Sequence, residues 1–200
     1  MSAMTTPADR DRPSEAALLR VPRLRQSSWG GFFELLGMLV VMFTLVNLAT
    51  VRFYIDGPSM QPTFYTGQFV LISRLNYLFG TPERGDVVVF NAPGNDANDP
   101  PLIKRLIGLP GETVEFRDAR VYINGVLLDE PYLNEACLRC DDRSITIDAD
   151  EFFLMGDNRN NSHDSRAFGA VAHERIIGEA IARYWPPNQW GVIAGHRYES

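Results

Sequence analysis

Apolar residues follow two different patterns along the chain. From Leu35 to Val51 the sequence LLGMLVVMFTLVNLATV runs without a charge, with Phe32 and Phe33 ahead of it and Phe53 and Tyr54 behind. Wound as a helix at ~1.5 Å per residue, this run is about 26 Å long, and with its aromatic flanks it approaches the roughly 30 Å of bilayer hydrocarbon. It predicts a transmembrane anchor over residues 32–54. Beyond residue 55 the apolar residues fall into short β-prone runs set off by Gly and Pro: QFVLISR at 68–74, DVVVF at 86–90, PLIKRLI at 101–107, ETVEF at 112–116, RVYI at 120–123, SITI at 144–147, EFFLM at 151–155 and IIGEAIARYW at 176–185. No long amphipathic helix is expected. Asn124-Gly125, between RVYI and VLL, signals a hairpin, because a type I′ turn needs positive φ at both central positions. The fold class is mainly β: an N-terminal transmembrane helix, then an antiparallel β domain over 55–200 with a smaller β subregion at about 113–150. NAPGNDANDPP at 91–101 reads as an exposed loop between strands.

Charge orients this arrangement. Residues 1–52 carry six Arg against four acids, and Arg20, Arg23 and Arg25 lie just ahead of the apolar run, while only Arg52 follows it before Arg74. The positive-inside bias makes 1–31 a cytoplasmic tail and sends 55–200 across the membrane. An uncleaved anchor fits better than a cleavable leader, since Asn47 spoils the small-x-small site ending at Ala49. A net charge of -6 argues against a duplex nucleic acid partner. Cys137 and Cys140 are the only cysteines; beyond the membrane a disulfide is expected ahead of free thiols, and a lone pair supplies only half of a tetrahedral zinc shell.

Among nineteen basic residues Lys104 is the single lysine. It lies in an apolar run, LIKRLI, beside Arg105; desolvation and a neighbouring cation both push an ammonium toward neutrality, whereas a guanidinium stays charged. A serine hydroxyl is a weak nucleophile until a base takes its proton. Ser59, in DGPSMQPT, sits on a backbone restrained by Gly57, Pro58 and Pro62. Lys104 is the favoured base over His163, His173 and His196, which lie in polar or charged surroundings. The stretch GDNRNNSHDSR at 156–166 suits a loop that organises other groups; Arg159 in its ligand row argues against a calcium loop.

Three segments in this order, GPSMQPTF, KRLIGLPGE and GDNRNNSHDSR, closely resemble the bacterial signal peptidase I family, membrane-anchored serine endopeptidases that remove signal peptides from exported proteins. RGDVVVF at 84–90 and IIGEAIARYWP at 176–186 fit as well. The resemblance implies a β fold shared with self-cleaving repressors, Ser59 as nucleophile and Lys104 as general base. It implies that Ser162 hydrogen-bonds the lysine amine, and that Asp157, Asp164, Arg105 and Arg166 hold the loop around the pair. Substrate would lie extended between strands at about 53–57 and 101–104, with Phe53, Ile55, Met60, Phe64, Leu102 and Ile103 walling shallow pockets for an Ala-x-Ala motif. No metal or cofactor is required. The implied partners are signal peptides of exported preproteins, the lipid bilayer and the secretion translocon; the implied location is the bacterial inner membrane. In some members a serine two residues before the nucleophile supports the oxyanion, and here that position is Gly57; some members also have two spans, where one is visible here. The rival readings are a maturation peptidase of a conjugation or pilus system and an inactive anchored binding protein.

Overall fold

The computed structural model describes residues 28–96, 99–193 and 195–198. Helix α1 (Ser28–Ala49) is exposed from Trp29 to Leu48 and is, among the described residues, the one helix long and apolar enough to cross a membrane. Near its end Asn47 Nδ2 donates back to the Phe43 carbonyl at 2.8 Å, and just beyond it Thr50 Oγ1 donates to that of Val46 at 2.8 Å. The anchor was expected to reach residue 54, but the helix ends at Ala49. Residues 50–54 instead pair as a strand with residues 69–73, where β-branched Thr50 and Val51 are better accommodated than in a helix.

The strands that follow are β1 (Thr50–Tyr54), β2 (Phe69–Ser73), β3 (Val87–Phe90), β4 (Leu102–Gly108), β5 (Thr113–Arg117), β6 (Arg120–Ile123), β7 (Val126–Leu127), β8 (Arg143–Thr146), β9 (Glu151–Met155), β10 (Val171–Ala172), β11 (Ile176–Trp185) and β12 (Gly191–Val192), with two one-turn helices, α2 (Asn76–Phe79) and α3 (Ser165–Phe168). All eight apolar runs are strands. One sheet has the order β1-β2-β11-β3-β4-β9-β10, with β12 on β11; the other is β7-β6-β5-β8, and every pairing is antiparallel. The hairpin between β6 and β7 turns through Asn124 (φ 51) and Gly125 (φ 82), both left-handed as a type I′ turn requires.

β3 reads as an unbroken apolar run because both faces of the larger sheet are covered there. Val87 and Val89 join one cluster with Ile55, Met60, Phe64, Ile72 and Ile103, while Val88 and Phe90 join another with Leu106, Phe152 and Leu154. A third cluster, around Phe116, Phe153 and Met155, ties the smaller sheet to β9 and the end of β4. β4 thereby runs through the centre of the core and carries Lys104 and Arg105 into it.

Candidate active site

A charged side chain in the middle of an apolar strand must find partners or lose its charge. Lys104 is 3% exposed. Its amine donates to Ser59 Oγ at 2.8 Å and to the Ile103 carbonyl at 2.8 Å. Burial pushes the amine down from 10.5 to about 8, with Arg166 acting the same way, while Asp164 and Asp157 hold it partly up. An amine so depressed is substantially uncharged in mildly alkaline water, and its lone pair then faces the Ser59 hydroxyl. Ser59 is half-buried on the loop after β1, and among the described residues its N–H donates to no acceptor. That leaves this donor for an oxyanion; Gly57 two residues before has no hydroxyl to add.

Arg105 faces the opposite demand. Its guanidinium is fixed by two parallel bonds to Asp157, Nε to Oδ1 at 2.8 Å and Nη2 to Oδ2 at 2.7 Å, and by Nη1 to the Gly85 carbonyl at 2.9 Å. Burial opposes its charge, but the bonds to Asp157 outweigh that and hold its pKa above the ordinary value. Asp157 also accepts from Thr63 Oγ1 at 2.5 Å, and Tyr132 lies face-on beneath Arg105 with the guanidinium 4.0 Å from the ring centre.

The 156–166 loop closes over these groups. Asp164 accepts from Arg166 Nε and Nη2 at 2.8 and 2.7 Å and from the Gly156 N–H at 2.9 Å. Burial raises the Asp164 carboxyl, and these donors outweigh it, so its pKa lies below the usual carboxylate range. Arg159 is paired inside the loop base with Glu130. Asn158 ties the loop to the serine turn, donating its N–H to the Ser59 carbonyl at 3.0 Å and Nδ2 to that of Pro58 at 3.2 Å. Gly156 makes this fit possible: a β-carbon there would strike the Ser162 hydroxyl and the Ser59 carbonyl. Gly156→Ala is therefore expected to lower kcat/KM by about 100-fold, since small misplacements of reacting groups cost that much. Steady-state cleavage assays beside a melting curve check it; wild-type kinetics would show that the loop yields freely.

Some sequence-based expectations change. Ser162 lies beside the pair, but its Oγ is buried without a hydrogen-bond partner, and the bond it was expected to make to Lys104 is absent because the amine is directed to Ser59 and the Ile103 carbonyl instead. Ile55, Met60 and Phe64, expected as pocket walls, are each 1% exposed and form core behind the serine turn, with Ile103 beside them. Phe53 is half-buried against the same cluster, whereas Leu102 packs on the opposite cluster and so cannot share a wall with them. The expected strand at 53–57 ends at Tyr54; its pairing continues one residue further, through Ile55 N–H to the Gln68 carbonyl at 2.9 Å. None of the histidines reaches Ser59: His163 meets Phe168 edge to face, His173 faces Asp150, and His196 lies between Tyr132 and Tyr198. Thr63, Glu130, Tyr132 and Asn158 were not singled out from sequence. Thr63 and Asn158 lie inside the motifs quoted above, but Glu130 and Tyr132 come from a loop without a signal of its own.

A buried amine on a half-exposed serine hydroxyl, in an antiparallel β domain that follows an apolar helix, has the make-up of a membrane-anchored serine hydrolase. A family model described as "Signal peptidase, peptidase S26" matches residues 29–185. Signal peptidase I of Leptolyngbya laminosa is 40% identical over 145 residues, covering 70% of this chain and 71% of its own, and signal peptidase IB of Staphylococcus aureus is 34% identical over 164 residues, covering 74% and 84%. A solved signal peptidase I from Enterococcus faecalis is 39% identical and covers 50% of this chain and 96% of its own, with a TM-score of 0.44. The chain belongs to the signal peptidase family, peptidase S26, and is a serine peptidase of the signal peptidase I type that cleaves signal peptides.

Proposed function

We propose that the chain cleaves signal peptides by a Ser/Lys dyad: the Lys104 amine takes the proton of Ser59 as its oxygen attacks the scissile carbonyl, the peptide's amine leaves, and water hydrolyses the acyl-enzyme. The observation that carries this reading is the 2.8 Å contact between Lys104 Nζ and Ser59 Oγ in a site dry enough to lower the amine to about 8. The Ser59 N–H is the donor for the oxyanion. Ser162, Asp164, Arg166, Asp157 and Arg105 position the dyad. β1 ends its sheet, and residues 102–104 pair with β3 but lie before the stretch that pairs with β9, so both offer backbone groups for an extended substrate. Phe53 and the backing cluster around Ile103 favour small side chains before the cut, as in Ala-x-Ala.

The N-terminus is cytoplasmic and the β domain extracytoplasmic in this reading, supported by the arginines ahead of α1 and by the Cys137–Cys140 disulfide, which persists in oxidising compartments. With nine residues between Ala49 and Ser59, the hydroxyl is tethered close to the bilayer from which a signal peptide emerges, beside the translocon. The test is incubation of the detergent-solubilised full chain with a preprotein whose leader ends in Ala-x-Ala. Wild type and His163→Ala should cut it, and Ser59→Ala and Lys104→Arg should not; cleavage that survived the lysine change and vanished with the histidine one would overturn the dyad.

A further inference from the structure

The cleavage reaction makes no use of the Cys137-x-x-Cys140 pair, yet this pair touches the catalytic loop. The two residues are disulfide-bonded, with Cα atoms 5.3 Å apart. Two clasps join this turn to the loop. Arg166 Nη1 donates to Cys137 Sγ at 3.1 Å, faces Cys140 Sγ at 3.7 Å and donates to the Arg159 carbonyl at 2.6 Å, while the rest of the same guanidinium grips Asp164. Asn160 forms the second clasp: Oδ1 accepts from the Leu138 N–H at 2.9 Å, and Nδ2 donates to the Ala136 carbonyl at 3.1 Å and to Glu135 at 3.2 Å. Cys137 is buried, but Cys140 is half-buried and its neighbour Arg139 exposed, so the outer sulfur can be reached. With two cysteines in the whole chain, thiol chemistry has a single target.

We propose that the Cys137–Cys140 disulfide is a redox-sensitive positioning element of the active site, whose reduction by an external dithiol loosens the hold of Arg166 on Asp164 and slows cleavage. The inference rests on Lys104 being the base. In the reduction the S–S bond breaks, two electrons and two protons pass from the dithiol to give thiols at Cys137 and Cys140, and the reductant closes its own disulfide. The Arg166 guanidinium lies 3.1 Å from Cys137 Sγ, so a thiolate formed there would be an anionic competitor of Asp164 for Arg166. The charges facing Lys104 are Asp164 and Asp157, which favour its ammonium, and Arg166, which opposes it; Arg105, the next residue on the strand, is occupied by Asp157. Drawing Arg166 toward sulfur uncovers Asp164 and adds a negative charge. Both changes favour the ammonium, so the free amine appears at higher pH.

The experiment measures kcat and KM of the wild-type full chain in detergent across neutral to alkaline pH, on a fluorogenic peptide ending in Ala-x-Ala, before and after dithiothreitol, with thiols counted. Reduction should move the acidic limb of kcat up by about half a pH unit, which is about a threefold loss at neutral pH, with KM little changed. Reoxidation should restore both, and Cys137→Ser/Cys140→Ser should be insensitive to the reductant. Freed thiols with an unmoved limb, a loss that tracks the melting curve instead of pH, or a reductant-sensitive double variant would each overturn the proposal. Lys104→Ala separates it from the dyad: full cleavage by that variant would refute the base, whatever dithiothreitol does.

Discussion

Lys104→Met should abolish signal peptide cleavage and at the same time make the protein harder to unfold. Loss of a positioned base typically costs roughly 10²–10⁴ in kcat, and methionine has no lone pair able to take the serine proton. The stability gain comes from the same burial. Holding the amine at about 8 against 10.5 in a solvated lysine corresponds to roughly 3 kcal/mol spent on keeping the ammonium in the core. Because the folded-state pKa is the lower one, the unfolded chain binds more protons between these two values, and wild-type stability rises with pH across that window. Below about 8 the cost is present in full; above 10.5 it is gone. Methionine removes it, so the variant's advantage should be largest at neutral pH and fade as pH climbs. Denaturant titrations at several pH values check this, and a variant less stable than wild type at neutral pH would contradict the burial argument. In the wild type, kcat/KM should rise as pH increases toward about 8, because only the uncharged amine accepts a proton.

Asp157→Ala should destabilise the domain by about 3–5 kcal/mol, because it strands the Arg105 guanidinium in the core. The two side chains are 4% and 0% exposed, and both donor arms on the Asp157 side lose their acceptor together. For a chain of this size that is a fall of roughly 6–20 °C in Tm, readable by calorimetry. Asp157→Asn should lose less, since an amide oxygen still accepts one bond. In both variants the anion that favours the Lys104 ammonium is removed, so the acidic limb of kcat/KM should move to lower pH, opposite to the shift expected on reducing the disulfide. A Tm within 2 °C of wild type in Asp157→Ala would mean that water reaches Arg105 freely.

Legibility in the sequence followed the length and repetition of each signal. Eight of the nine strands of four or more residues showed as apolar runs, and Asn124-Gly125 marked its hairpin by backbone chemistry. β7, β10 and β12 are two residues long, and α2 and α3 one turn, too short for either period to register. β1 was absorbed into the anchor because Val51, Phe53 and Tyr54 continue its apolar composition, and only pairing with β2 tells strand from helix there. Lys104 stood out as a lone ammonium among guanidiniums. The supposed pocket walls did not separate from core, because burial of Ile55, Met60 and Phe64 is set by partners such as Val87 and Ala180, far off in the chain. The missing Ser162 bond likewise depends on where an amine turns inside a packed site.

The order of Lys104 and Arg105 on β4 has a consequence for how the enzyme can fail. Val88 and Val87 face them from β3, and Met155 faces Arg105 from β9. A slip of one residue that carried Arg105 into the place of Lys104 would present a guanidinium to Ser59, a group that never gives up its proton, and leave Leu106 opposite Asp157. Such a misthreaded molecule would also turn the apolar side chains of β4 to the wrong clusters and be inert, so the neighbouring valines and methionine act as proofreaders of chemistry as well as of shape.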